Sequence, residues 1–169
     1  MSWAGTGRAP SRLYAMQSEP HVYVDADACP VKAEVAQVAE RHGLAVTYVA
    51  NAWFQAPRGP RLRVQVVTGA FDAADDWIVE RIAPTDVVIT ADIPLASRCL
   101  RKGARVLGPS GKPFTDDNIG NALATREILA DLRAYGTGGG PAPFAPRDRS
   151  RFLEALEHVV RDARRGAVR

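Results

Sequence analysis

Residues 86–96, DVVITADIPLA, decide the fold of this 169-residue chain. The stretch begins with an apolar, mostly β-branched run at 86–90 and continues through Asp92 into a helical pattern at 93–102. An unbroken apolar run is typical of a central strand that is buried on both faces. The stretch therefore predicts a strand followed by a helix, which is the repeating unit of a parallel sheet.

The same alternation of short strands and longer helices extends in both directions. Strands are predicted at 21–25, 44–50, 61–67, 86–90 and 104–108, and helices at about 30–42, 71–83, 93–102, 116–135 and 147–165. Polar and apolar residues alternate in the third strand, which indicates an edge position. This order predicts an α/β fold of three α/β/α layers with a mostly parallel sheet of about five strands.

The two ends of the chain and one internal stretch differ from this pattern. Residues 1–20 lack the apolar segment of a secretion signal, so we expect a disordered leader, with Met16 as an alternative start. Residues 136–143, GTGGGPAP, have the composition of a linker. We expect one domain over 21–165, with the helix at 147–165 packed on it.

The formal net charge of +3 is unevenly distributed. Residues 1–20 carry a net charge of +1 and residues 147–169 a net charge of +3, which leaves −1 for residues 21–146. The apolar runs are too short for a membrane span, and two cysteines are too few for a disulfide scaffold. We therefore expect a cytoplasmic protein with no membrane contact and with its basic excess at the ends.

Acidic residues follow the predicted strands at the edge where a parallel sheet binds ligands. Asp25 ends the first strand, and Asp27 projects to the same side if the chain stays extended. Parallel neighbours would set Asp92 beside Asp25, while Asp72 and Asp75 lie near the first turn of a helix. Gathered carboxylates repel one another unless a cation joins them, and oxygen ligands suit Mg²⁺ or Mn²⁺. We therefore predict a metal site with ligands among Asp25, Asp27, Asp72, Asp75 and Asp92.

Helix capping is the competing interpretation of the same acids. Asp72 precedes Asp75 by three residues, as in a capping box, and Asp27 and Asp92 each precede a helix. On the helical wheel, Asp75 borders the apolar stripe whereas Asp76 points outward. Asp75 is therefore preferred to Asp76 as a ligand.

Six blocks of sequence together carry a family resemblance. They are VYVDADACPVK (22–32), AN (50–51), GAFDAADDWIV (69–79), DVVITADIPLA (86–96), GPSGKPFT (108–115) and PRDRSRFLEALE (146–157). In this order they resemble the YaiI/YqxD family of small bacterial proteins, over about residues 21–160. The resemblance implies a fold similar to the PIN-like nucleases, with acidic residues at the strand ends, and it implies no established activity. A helical glutamate of better-known PIN nucleases has no clear counterpart here, and Asp75 would take its place.

Three functions follow from these residues. The leading hypothesis is a Mg²⁺- or Mn²⁺-dependent nuclease for RNA or single-stranded nucleic acid, because a metal beside carboxylates activates water for phosphodiester hydrolysis. Its catalytic residues would be Asp25, Asp27, Asp75 and Asp92, and its substrate-binding residues Lys32, Asn51, Arg98, Lys112 and Arg126. One alternative is a non-catalytic module that binds nucleic acid or protein through the terminal arginines. The other is a small-molecule phosphatase with Asp25 as its nucleophile.

Two further motifs have structural interpretations. Cys29 lies at a predicted helix start, where the helix dipole would lower the pKa of its thiol, but no base is near and a structural role is favoured. The stretch GPSGKPFT lacks the pattern of a Walker A loop. It is interpreted as a turn between a strand and a helix, with Thr115 as the cap.

Overall fold

The computed structural model describes residues 19–134, 136 and 143–168. Most of the predicted leader and most of the predicted linker at 136–143 lie outside the described residues. The described elements are β1 (Val22–Asp25), α1 (Lys32–His42), β2 (Val46–Ala50), β3 (Leu62–Val66), α2 (Ala73–Arg81), β4 (Val87–Ile89), α3 (Ile93–Arg101), β5 (Arg105–Leu107), β6 (Pro113–Phe114), α4 (Asp116–Ala134) and α5 (Pro146–Val168).

The strands form one mostly parallel sheet in the order β3-β2-β1-β4-β5-β6. All five predicted strands are present, and the predicted edge position of β3 and the buried, internal position of β4 are confirmed. The sixth strand, β6, pairs antiparallel with β5 and lies within the stretch interpreted as a turn. Its proline is compatible with an edge strand, since an edge strand can lack a backbone donor.

Helices cover both faces of the sheet, which confirms the three layers. Side chains alternate along β1, so that Val22 and Val24 face α1 and α5, whereas Tyr23 faces α2 and α3. Ile119 of α4 packs partly buried against this second face. The alternation matters for function because it decides which layer each strand-end residue faces.

The last helix, α5, packs on the domain as predicted. Its fully buried side chains are Phe152, Leu156, Val160 and Ala163. Three groups of polar contacts join it to α1. Arg149 Nη1 lies 2.5 Å from Glu34 Oε1, Glu157 pairs with both Arg41 and His42, and Arg164 donates to the His42 carbonyl. The acidic and basic residues of α5 are therefore partly used in holding the helix to the core.

Local signals account for most helix ends. Helix α1 begins at Lys32 rather than at Pro30, and Gly43 ends it in the left-handed region with φ +66°. The hydroxyl of Thr115 accepts a hydrogen bond from the Asn118 N–H at 3.2 Å, which confirms the predicted cap. Within the ranges described above, no helix has both the length and the apolar character needed to cross a membrane.

Candidate active site

A cleft of about 350 Å³ opens at the carboxyl ends of β1 and β4. The acidic side chains that line it are Asp25, Asp27, Asp75 and Asp92. Asp25 follows Val24 in the alternation of β1, so it faces the layer of α2 and α3, and α2 supplies Asp75 from that layer. The parallel sheet therefore brings together acids that are up to 67 residues apart in the sequence.

Asp25 is held by a hydroxyl from the neighbouring strand. Val24 pairs with Ile89, so Asp25 and Thr90 are the next residues along the two strands. Thr90 Oγ1 donates to Asp25 Oδ2 at 2.8 Å and accepts from the Asp92 N–H at 2.9 Å. This single buried hydroxyl links the acid that ends β1 to the acid that follows β4.

Asp27 reaches the cleft by a turn and not by extended chain. The Cys29 N–H donates to the Ala26 carbonyl at 3.2 Å, and Ala28 has a positive φ of 62°. The chain does not stay extended beyond Asp25, because this turn reverses it. Asp27 Oδ2 then accepts a hydrogen bond from the Asn51 N–H at 3.0 Å, so the carboxylate is fixed to the end of β2.

Asp92 is both a helix cap and a cleft residue. Its Oδ1 accepts from the Leu95 N–H at 3.0 Å at the start of α3. The capping interpretation is confirmed for Asp92, and it coexists with a position on the cleft.

The three acids around the start of α2 have different positions. Asp72 occupies the capping position of α2 but makes no capping hydrogen bond through its side chain, and it does not line the cleft. Asp75 does line the cleft. Asp76 pairs with Arg98 at 2.8 Å and lies outside the cleft.

The cleft concentrates negative charge. Burial raises the pKa of Asp25 to about 6; the Thr90 hydrogen bond opposes this, and the charges of Asp75, Asp92 and Asp27 add to it. Burial and the neighbouring Asp92 also raise the pKa of Asp75 to about 6. In the described part of the chain, no lysine or arginine forms a salt bridge with Asp25, Asp27, Asp75 or Asp92. The arrangement therefore favours a cation from outside the chain.

The donor set fits a hydrated hard cation better than an enclosed one. Across the described residues, no three His, Cys, Asp or Glu side chains are gathered into a cluster that could hold a metal ion by themselves. Asp25, Asp27 and Asp92 each use one carboxylate oxygen for an internal hydrogen bond. Their other oxygens make no hydrogen bond to the described part of the chain. Mg²⁺ commonly binds through one or two carboxylates together with waters and substrate phosphates, which matches this arrangement.

The predicted substrate-binding residues separate into two groups. Asn51 lines the cleft, whereas Lys32, Arg98, Lys112 and Arg126 do not. Lys32 Nζ instead donates to the Cys29 carbonyl at 2.8 Å. Lys112 and Arg126 are exposed, although Pro109, from the same loop as Lys112, does line the cleft.

The predicted lowering of the pKa of the Cys29 thiol by the helix dipole is wrong. The side chain is only 8% exposed, and burial raises the pKa of the thiol. Helix α1 begins at Lys32, three residues further on, so burial outweighs any effect of the helix dipole. Cys29 is a buried lining residue of the cleft, which agrees with the favoured structural role.

Sequence reasoning assigned no role in the site to Phe71 or to Thr90. Phe71 lines the cleft with its side chain fully exposed. The sequence predicts it as the first residue of a helix, whereas α2 begins at Ala73 and Phe71 lies in the turn before it. Thr90 is polar at the end of an apolar strand, which is a signal for a site residue, but its two hydrogen bonds depend on the register between β1 and β4.

Comparison with known proteins identifies the family. A family model described as "Uncharacterized BCR, YaiI/YqxD family" matches residues 23–162, which includes every acid of the cleft. The chain belongs to the YaiI/YqxD family. The PIN-like fold that the resemblance implies stays a prediction, because no solved structure matches this YaiI/YqxD chain.

Several relatives match most of the length of this YaiI/YqxD protein. A UPF0178 protein of Rhodopseudomonas palustris strain TIE-1 is 56% identical over 149 residues, 87% of this chain and 94% of the relative. A UPF0178 protein of Nitrobacter winogradskyi is 55% identical over 87% of this chain and 94% of its own length. One of Agrobacterium fabrum is 55% identical over 86% of this chain and 96% of its own length. These names state no activity.

Proposed function

We propose that this YaiI/YqxD protein is a Mg²⁺- or Mn²⁺-dependent nuclease that hydrolyses phosphodiester bonds in RNA or single-stranded nucleic acid in the bacterial cytoplasm. The observation that carries the proposal is the cleft that Asp25, Asp75 and Asp92 line together, with no lysine or arginine among its described lining residues. The raised pKa of Asp25 and of Asp75 supports it, since burial first and neighbouring carboxylates second disfavour the charged form of each acid when no cation is bound.

Each acid has a role that its contacts suggest. One or two of Asp25, Asp75 and Asp92 would hold the cation directly and the others through its waters, and the bound cation would supply an activated water and stabilise the charge that develops on the phosphate. Thr90 fixes the carboxylate of Asp25, and the Leu95 N–H fixes that of Asp92. Asp27, held by the Asn51 N–H, is placed to orient the metal or the attacking water.

The cleft supports the two alternatives less well. A phosphatase with Asp25 as nucleophile needs a positive group to bind the transferred phosphoryl, and the predicted Lys112 does not line the cleft. A non-catalytic module would bind through the arginines of α5, several of which are exposed. Such a module would give the carboxylates of the cleft no role in binding.

The direct test compares nuclease activity in matched variants. Purified protein is incubated with labelled single-stranded RNA and DNA in Mn²⁺, in Mg²⁺ and in EDTA. The double variant Asp25→Asn/Asp92→Asn removes two charges, and asparagine at position 92 can still cap α3. Asp76→Asn is the matched control, since Asp76 lies outside the cleft and pairs with Arg98.

Metal-dependent cleavage that is lost in the double variant and kept in Asp76→Asn is the expected result. Equal cleavage by the unaltered protein and the double variant would indicate a contaminating nuclease and would overturn the proposal. Salt-sensitive RNA binding without cleavage, retained by the double variant and weakened by removal of residues 147–169, would favour the binding module.

A further inference from the structure

Phe71 stands at the mouth of the acidic cleft with its ring in solvent. It is 100% exposed, more than any other large apolar side chain in the described ranges, and it lines the cleft with Asp75 and Asn51. It lies in the turn before α2, four residues before Asp75, so the ring is attached close to a proposed metal ligand. The start of α2 therefore fixes where the Phe71 ring lies relative to the acids of the cleft.

The chemistry of this position favours a flat, unsaturated ligand. The Phe71 ring contributes no burial to the core of the described residues, because it is fully exposed. Aromatic faces stack with nucleobases of any identity, because every base has a π-face. A strand whose phosphate binds among the acids also brings its own bases to the rim of the same cleft.

The side-chain amide of Asn51, which lines the same cleft, can add hydrogen bonds to a stacked base. Asn51 contributes its backbone N–H to Asp27, while its side-chain amide makes no hydrogen bond within the described part of the chain. The amide carries two donors and one acceptor oxygen, which match the hydrogen-bonding edges of bases. Phe71 and Asn51 line one cleft and thus offer a stacking face and an edge partner together.

We infer that Phe71 is a stacking platform for an unpaired nucleobase of the strand whose phosphate enters the acidic cleft, an inference that rests on the proposed function. In a duplex, both faces of each base are already covered by neighbouring bases. A base must be unstacked to lie on Phe71, as it is in single strands, loops and ends. The platform therefore selects single-stranded over double-stranded nucleic acid.

The test measures binding without turnover. Fluorescence anisotropy follows a labelled ten-nucleotide single strand and a blunt hairpin duplex, with Ca²⁺ in place of Mg²⁺ to suppress cleavage. The variants are Phe71→Ala, Phe71→Leu and Phe71→Trp. Trp53→Ala is the matched control, since Trp53 is 74% exposed and does not line the cleft. Thermal unfolding checks that each variant folds. We expect each variant to fold, because the substituted positions are exposed.

Phe71→Ala and Phe71→Leu should weaken binding of the single strand by roughly 5- to 100-fold and leave the weak binding of the hairpin unchanged. Phe71→Trp and Trp53→Ala should stay within about twofold of the unaltered protein, because the first keeps a stacking face and the second does not touch the cleft. Single-strand binding that is unchanged in Phe71→Ala, or absent from the unaltered protein, would overturn the platform.

The two proposals fail separately. Metal-dependent cleavage together with unchanged binding by Phe71→Ala overturns the platform and leaves the nuclease standing. Selective loss of single-strand binding in Phe71→Ala, with no cleavage by the unaltered protein, supports the platform and overturns the nuclease.

Discussion

The Thr90 hydroxyl donates a hydrogen bond to Asp25 Oδ2 at 2.8 Å, from one parallel strand to its neighbour. Thr90→Val keeps the shape of the side chain but leaves Asp25 and the Asp92 N–H without this partner. We expect a loss of about 1–3 kcal/mol in the free energy of unfolding, measured by urea denaturation at pH 7.5. Thr90→Ser keeps the hydroxyl and is the control. Equal stability of the valine and serine variants would contradict the bridging role.

The buried charge of Asp25 should destabilise the metal-free protein above pH 6. The pKa of Asp25 is about 6 in the fold and 3.8 as its usual value, so the folded state binds the proton more tightly than the unfolded state. This contribution is complete below about pH 4 and is lost as the pH rises through 6. Asp25→Asn should therefore be more stable than the unaltered protein at pH 7.5, by on the order of 2 kcal/mol, and equally stable at pH 4.

Chemical denaturation in EDTA across pH 4–8 measures this difference, and Asp76→Asn serves as the control. That variant removes only a partly exposed ion pair with Arg98, so its stability should change by less than about 1 kcal/mol and in the opposite direction. A less stable Asp25→Asn at pH 7.5 would show that the cleft does not carry uncompensated charge.

Ala28 occupies a backbone conformation that suits glycine. Its φ of +62° lies in the left-handed region, in the turn that carries Asp27 to the cleft. Ala28→Gly should stabilise the fold by up to about 1 kcal/mol, seen as a higher urea midpoint with an unchanged slope. Ala36→Gly in α1 is the opposite control and should cost about 1 kcal/mol. If Ala28→Gly is as destabilising as Ala36→Gly, the turn does not have this conformation.

Gly111 allows the loop after β5 to touch the backbone of α5. A Cβ at this position would lie 2.8 Å from the Arg151 carbonyl carbon, and φ is +91°. Gly111→Ala should therefore destabilise the protein by on the order of 2 kcal/mol in thermal or urea unfolding. Gly120→Ala in α4 meets nothing within 4 Å and should instead stabilise by up to about 1 kcal/mol. A neutral Gly111→Ala would mean that loop and helix are not in contact.

The sequence predicted the sheet well because its signals are local. The apolar run at 86–90 and the alternation at 61–67 depend on burial of one or two strand faces, and both positions are confirmed. β6 was not predicted, because a two-residue strand in GPSGKPFT has no periodicity and forms only through its pairing with β5.

The candidate site was less predictable because it depends on contacts between distant residues. The sequence predicts that Asp92 lies beside Asp25 at neighbouring strand ends, and the pairing of β1 with β4 places those strands side by side. The position of Asp75 depends on how α2 packs on the sheet. Three features of the site depend on how neighbouring strand ends meet, and helical or strand periodicity does not report how they meet. These features are the turn at Ala28, the burial of Cys29 and the hydrogen bonds through Thr90. Asp92 also combines a cap with a position on the cleft, which the sequence presents as competing interpretations.

Asp92 uses only one of its two carboxylate oxygens for the cap of helix α3 and also lines the cleft. Oδ1 starts helix α3 through the Leu95 N–H, while Oδ2 makes no hydrogen bond within the described part of the chain. Asparagine preserves the first contact and removes the charge from the second. A single nucleotide change from an aspartate to an asparagine codon can thus silence this position without disturbing the helix. A substitution at Asp92 can therefore remove negative charge from the cleft without removing the cap that stabilises the fold.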